Sequence, residues 1–201
     1  MSQSWEEATY KSIALKRSRF FRPIAVVLAK LGFTPDVLSY MGVVSMIAFV
    51  VVVGEHRVLA FWLMVLMLLF DQLDGALARY QKTDSDRGKF VDVVVDSTTF
   101  SLFIAGLMGA GLISGLAGGI YIYFGLLSRV LMIIRNNIGR NNDWLFYAGA
   151  GILPSTFIYA TYALFGLSVL FDLNYLQSST VIFSWLLVLK SVTDYKTIRN
   201  S

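Results

Sequence analysis

Long apolar stretches separated by short polar breaks set the pattern of this chain. Six of them, at about residues 36–54, 57–79, 89–113, 116–135, 145–168 and 175–195, are long enough to cross a bilayer, since a spanning helix needs roughly 20 mostly apolar residues. Gly and Pro interrupt several, as spanning helices tolerate. Residues 4–32 follow a different rule. Phe20, Ile24, Val27, Leu28 and Leu31 recur at helical spacing, while Lys11, Lys16, Arg17, Arg19 and Arg22 supply a basic side, which predicts a helix lying in the membrane interface. Pro23 kinks that helix, and Gly32-Phe33-Thr34-Pro35 ends it before the first span. The expected fold is an all-α integral membrane protein: an N-terminal amphipathic juxtamembrane helix over 1–33, then a six-helix membrane domain over 34–201.

Composition supports that class. The chain is 56% hydrophobic and 15% charged, with a mean hydropathy of +0.65, far from a soluble domain. Charge then sets the expected orientation. With a cytoplasmic N-terminus, Arg57 is the one exception among 17 Lys and Arg residues to a cytoplasmic placement, the positive-inside pattern. The loop Tyr80–Arg87 then faces the cytoplasm. The net charge of +4 follows from topology and attraction to anionic membrane lipids, so no nucleic acid is called for. With no cysteine, disulfide and thiolate chemistry are excluded. The early apolar run Ile24–Leu28 is too short for a signal peptide and has no small-residue cleavage site.

Against this background, six acidic residues fall within the 26 positions from Asp71 to Asp96. Asp71 and Asp74 are three apart and Asp92 and Asp96 four apart, so each pair shares a helix face. The short polar loop between the two helices brings the pairs together. Four carboxylates at a membrane surface repel one another unless cations bind between them. Oxygen donors with no nearby His or Cys favour Mg²⁺ or Mn²⁺ over zinc. Such ions bind through a few carboxylates plus substrate phosphates, which makes a diphosphate the natural partner. Gly75 and Gly88 leave room for a bulky group against the helix backbone; packing of helices through small residues explains them equally.

The full spacing is Asp71-x2-Asp74-Gly75-x2-Ala78-Arg79-x8-Gly88-x3-Asp92-x3-Asp96. It resembles, at every defined position, the signature of the CDP-alcohol phosphotransferase (phosphatidyltransferase) family, as do the six spans and the amphipathic leading helix. The resemblance implies a membrane transferase of phospholipid synthesis that moves a phosphatidyl group from CDP-diacylglycerol to a small alcohol and releases CMP. By the same resemblance Asp71, Asp74, Asp92 and Asp96 hold two divalent cations, Mg²⁺ or Mn²⁺, and Asp96 is also the catalytic base. Gly75, Ala78, Arg79, Ser85 and Gly88 line the CDP pocket, and the protein forms a homodimer. Where the family has a Pro-Asn-x-x-Thr-like segment, this chain has Pro35-Asp36-Val37-Leu38-Ser39. Ser39 keeps the hydroxyl. Asp36 exchanges an amide donor for a charge, so it is either a nucleotide contact or a helix N-cap. Arg79 is likewise either a phosphate ligand or a topology anchor.

For the acceptor the candidates are Arg129, Arg135, Arg140 and Lys190, cations suited to a phosphorylated alcohol; positive-inside topology accounts for them equally. His56 lies on the opposite side without a ligand role, and Tyr121, Tyr123, Tyr159 and Trp185 are expected to pack or to sit in interfacial belts. Two rivals stand beside this reading. An aminoalcohol phosphotransferase would use CDP-choline or CDP-ethanolamine with diacylglycerol as acceptor; the length of 201 residues argues for the phosphatidyltransferase side. A cation transporter would also place acids in spans, but the acids gather on one side and no matching polar site is expected in the other spans.

Overall fold

The computed structural model describes residues 20–83, 85–137 and 152–200, and every regular element among them is helical. In chain order these are α1 over 20–30, then α2 (Pro35–Val52), α3 (Arg57–Gln81), α4 (Asp86–Gly109), α5 (Gly115–Asn137), α6 (Ile152–Phe171) and α7 (Leu176–Arg199). Local chemistry explains the breaks. Thr34 caps α2, its hydroxyl accepting from the Val37 N–H at 3.4 Å, with Pro35 in the first turn where its missing N–H costs nothing. Lys82 ends α3 in the left-handed region at φ 56°. Ser85 then opens α4 by accepting from the Gly88 N–H at 3.2 Å.

Five helices, α2 to α5 and α7, are long and apolar enough to span a membrane. The sixth expected span, 145–168, starts outside the described residues; α6 is apolar over Thr156–Phe171. The bundle is organised around two close-packed groups, α2 with α3 and α4, and α5 with α7. Contacts join α5 and α7 at both ends. At one, the Ser114 N–H donates to Gln177 Oε1 at 2.7 Å; at the other, Arg135 meets Asp194 at 2.8 Å. These two helices therefore run side by side in the same direction.

The core is aromatic. Phe103 touches Phe49, Tyr162 and Phe165 with ring centroids 5.2, 4.6 and 5.7 Å apart, joining α2, α4 and α6. Such contacts hold beyond their area burial. Glycine makes this approach possible: a Cβ on Gly106 would stand 2.8 Å from Phe49, and one on Gly125 2.8 Å from Phe100. Large apolar side chains such as Val44, Trp62, Leu167 and Trp185 face outward, as lipid-facing positions do.

Of the expected interfacial helix, residues 4–19 lie outside the described residues. Over 20–30 it has two apolar sides. Ala25, with Phe21, Leu28 and Ala29, packs on Leu38, Leu73, Ala76 and Leu77 of α2 and α3. Phe20, Ile24, Val27 and Leu31 remain exposed, free to meet lipid. Thus Leu28, expected on the lipid-facing stripe, contributes instead to docking on the bundle.

Candidate active site

The helical pairing of acids is realised across α3 and α4. Carboxylate oxygens of Asp71, Asp92 and Asp96 all lie within 4.8 Å of one another. Like charges at that separation repel by about 3.5 kcal/mol per pair at an effective dielectric of about 20. Such a cluster is stable only with positive charge nearby. Arg129 of α5 supplies part of it, its Nη1 lying 3.4 Å from Asp96 Oδ2 while also donating to the Val93 carbonyl and to Ser97 Oγ, both at 3.3 Å. An all-oxygen donor set that is half-buried and crowded fits a hard divalent cation. Gln72 donates to Asp71 at 2.6 Å.

Asp74 stands slightly apart. It is buried at 7% exposure, and Ser39 of α2 donates to its Oδ2 at 2.5 Å. It remains within electrostatic reach of Asp96 and Arg79. Two cavities meet at the acids, both bordered by Met67, Asp71, Asp96 and Thr99. One extends toward α2, reaching Ser39, Gly42 and Asp74. The other extends toward α5 and α6, reaching Arg129, Ile158, Tyr159 and Tyr162. Tyr159, expected to pack or to sit in an interfacial belt, borders the second cavity; its helix is distant in sequence, and no local pattern announced this.

The expected CDP-binding residues lie along the α3–α4 turn. The Arg79 guanidinium folds over Gly75, where a Cβ would stand 3.5 Å from both of its terminal nitrogens. Ala78 sits one residue before it, and its carbonyl accepts from the Thr83 N–H at 3.0 Å. Ser85 and Gly88 are bound to each other as the α4 cap. Asp36 does not cap α2, a role that falls to Thr34; it pairs with Arg87 at 3.1 Å, tying the start of α2 to the start of α4.

The four acceptor candidates do not form one group. Arg129 belongs to the acid cluster, and Arg140 lies outside the described residues. Arg135 and Lys190 converge on the two oxygens of Asp194, an acid of α7 with 1% side-chain exposure. This corrects the expectation that the remaining spans carry no matching polar site. Asp194 was missed because it lies in a stretch rich in basic residues that reads as a topology signal.

Residues 33–193 match the CDP-alcohol phosphatidyltransferase family. The chain belongs to that family. Two solved structures share its fold. Phosphatidylinositol phosphate synthase of Mycobacterium tuberculosis with CDP-DAG bound aligns with a TM-score of 0.73 and 21% identity, over 90% of this chain and 94% of that one. The apo form of the same protein aligns at 0.69 and 19%, over 88% and 94%. No curated protein sequence matches the chain. The chain is therefore a phosphatidyltransferase enzyme and a multi-pass membrane protein, which sets the transporter reading aside.

Proposed function

We propose that the enzyme transfers a phosphatidyl group from CDP-diacylglycerol to a small alcohol. The acceptor hydroxyl attacks the phosphorus that carries the lipid. A new P–O bond forms, the bond to the bridging oxygen of CMP breaks, and the hydroxyl proton passes to Asp96. Asp71 and Asp96 both border the two cavities, and of these Asp96 takes this role by the family resemblance, with Arg129 beside its carboxylate. Asp71, Asp74, Asp92 and Asp96 would hold two divalent cations, Mg²⁺ or Mn²⁺, which supply charge neutralisation of the diphosphate and of the departing CMP. Arg79 and the backbone around Gly75 and Gly88 receive the nucleotide, with Ser85, Ala78, Ser39 and Asp36 at its edge.

Location follows from the substrates. The acyl chains stay in hydrocarbon while the diphosphate meets a soluble acceptor at the interface. The basic ends of the chain favour six spans, a cytoplasmic N-terminus and a cytoplasmic site, and a second copy completes a homodimer as the family resemblance implies. The single observation that carries the reading is the convergence of Asp71, Asp92 and Asp96 at the signature positions. Purified enzyme in lipid discs, given labelled CDP-diacylglycerol, should release CMP only when glycerol 3-phosphate, inositol phosphate, serine or a second phospholipid is added. CMP release from CDP-choline with diacylglycerol, and none from CDP-diacylglycerol, would sink it in favour of aminoalcohol transfer.

A further inference from the structure

Four of the five residues after Asp96 carry hydroxyls: Ser97, Thr98, Thr99 and Ser101. Each donates back to a carbonyl of α4, Ser97 to Val93 at 2.7 Å, Thr98 to Val94 at 2.8 Å, Thr99 to Asp96 at 3.1 Å and Ser101 to Ser97 at 2.8 Å. Helical hydroxyls commonly satisfy themselves in this way, so these bonds alone carry no function. Among the described residues, Ser97 is the one of the four that also bonds to another helix. Its proton is committed to the Val93 carbonyl, which leaves its lone pairs to accept from Arg129 Nη1 at 3.3 Å. Ser97 follows the last aspartate of the signature and is not one of its defined positions.

That arginine nitrogen is shared. Arg129 Nη1 stands 3.3 Å from the Val93 carbonyl oxygen, 3.3 Å from Ser97 Oγ and 3.4 Å from Asp96 Oδ2. All three oxygens belong to one turn of α4. A guanidinium free to choose closes on a carboxylate to about 2.7–2.9 Å. Here it stops short of the one partner that carries a charge. The Arg129 side chain is 16% exposed, so water does little to draw it away. The two uncharged oxygens hold it where it stands. The consequence falls on Asp96. A carboxylate gripped by an arginine has committed its lone pairs, whereas one with the cation standing off keeps them free for other partners.

We propose that Ser97 is a positioning residue that holds Arg129 back from Asp96 and so keeps the Asp96 carboxylate open to a divalent cation. The proposal rests on the reading of the acids as a cation site and adds the residue that stops a neighbouring arginine from filling it. Ser97 acts through Arg129. Without its hydroxyl, Asp96 is the strongest acceptor left to Nη1, and the guanidinium closes on it. An arginine in that position competes with a metal ion twice, for oxygen lone pairs and through like charge.

The test measures Mn²⁺ binding to the full chain in discs of zwitterionic lipid, without substrate, from the electron paramagnetic resonance signal of the free ion. Ser97→Ala should raise the Mn²⁺ dissociation constant about fivefold, the scale of one hydrogen bond. Ser97→Thr keeps the hydroxyl and should bind as wild type does, whereas Ser97→Val, of the same shape without the hydroxyl, should match Ser97→Ala. Thr98→Ala deletes an equivalent bond at an exposed position and should leave Mn²⁺ binding and CMP release unchanged. The deciding variant combines Ser97→Ala with Arg129→Gln. With the arginine gone, Mn²⁺ binding should return to the level of Arg129→Gln alone. Binding that stays weakened in this double variant would overturn the proposal, because the hydroxyl would then act without the arginine. Wild-type affinity in Ser97→Ala would overturn it too. A wild-type enzyme that binds no Mn²⁺ would remove the cation reading itself, and this proposal with it.

Discussion

Two charged clusters lie toward the same end of the α5 helix, and they are assembled differently. Around Asp96, three carboxylates crowd within 4.8 Å, and Arg129 answers one of them. Around Asp194, one carboxylate faces both Arg135 and Lys190. The first arrangement crowds like charges that a divalent cation would relieve, whereas in the second a buried acid is met by basic side chains from two helices. The elements differ too. The acids are set by helices adjacent in sequence, α3 and α4, whereas the second cluster forms only when α5 finds α7.

The comparison can be broken most severely at the acids. Chelation of divalent cations should reduce CMP release to background, with Mg²⁺ or Mn²⁺ restoring it; activity that persists in excess chelator would show that the carboxylates manage without a metal. Asp96→Asn should lower transfer by roughly 10³-fold while CDP-diacylglycerol still protects the enzyme in thermal shift. Arg129→Gln is expected to have a smaller effect, about tenfold on acceptor-dependent CMP release, because its guanidinium steadies Asp96 without supplying a donor atom to a metal. Ser39→Ala removes the hydroxyl that Asp74 accepts from and should cost about 1–2 kcal/mol of stability, read as a lower denaturation midpoint and a weaker metal titration. The smallest effect belongs to Asp36→Ala. Its partner Arg87 is solvent-exposed, so the loss should be under about 1 kcal/mol and vanish at high salt.

The acids were legible in the sequence because their meaning is local. Intervals of three and four residues put each pair on one helix face, and a short polar loop returns the second helix beside the first. The spans were legible as apolar runs to within a few residues, 57–79 against α3 and 89–113 against α4, but the caps at Lys82 and Ser85 were not, Ser85 being assigned to the CDP pocket instead. Asp194 was hidden by both its neighbours and its partner. Lys190, Lys196 and Arg199 make the end of α7 read as a basic terminus, and Arg135 lies 59 residues away. Tyr159 and Tyr162 were hidden likewise, since spacing along α6 does not reveal that α6 closes a cavity above Asp71 and Asp96. Asp36 was read as either a nucleotide contact or a cap of its own helix, although its partner is Arg87 on another.

The two-sided contact of α1 has a mechanical consequence. Its inner edge rests on Leu73, Ala76 and Leu77, the residues that bracket Asp74, while Phe20, Ile24, Val27 and Leu31 point away from the protein. One short helix thus offers apolar side chains to lipid on one side and to the neighbourhood of Asp74 on the other. A force that lifts or tilts this short helix would therefore be felt first by the stretch bearing Asp74.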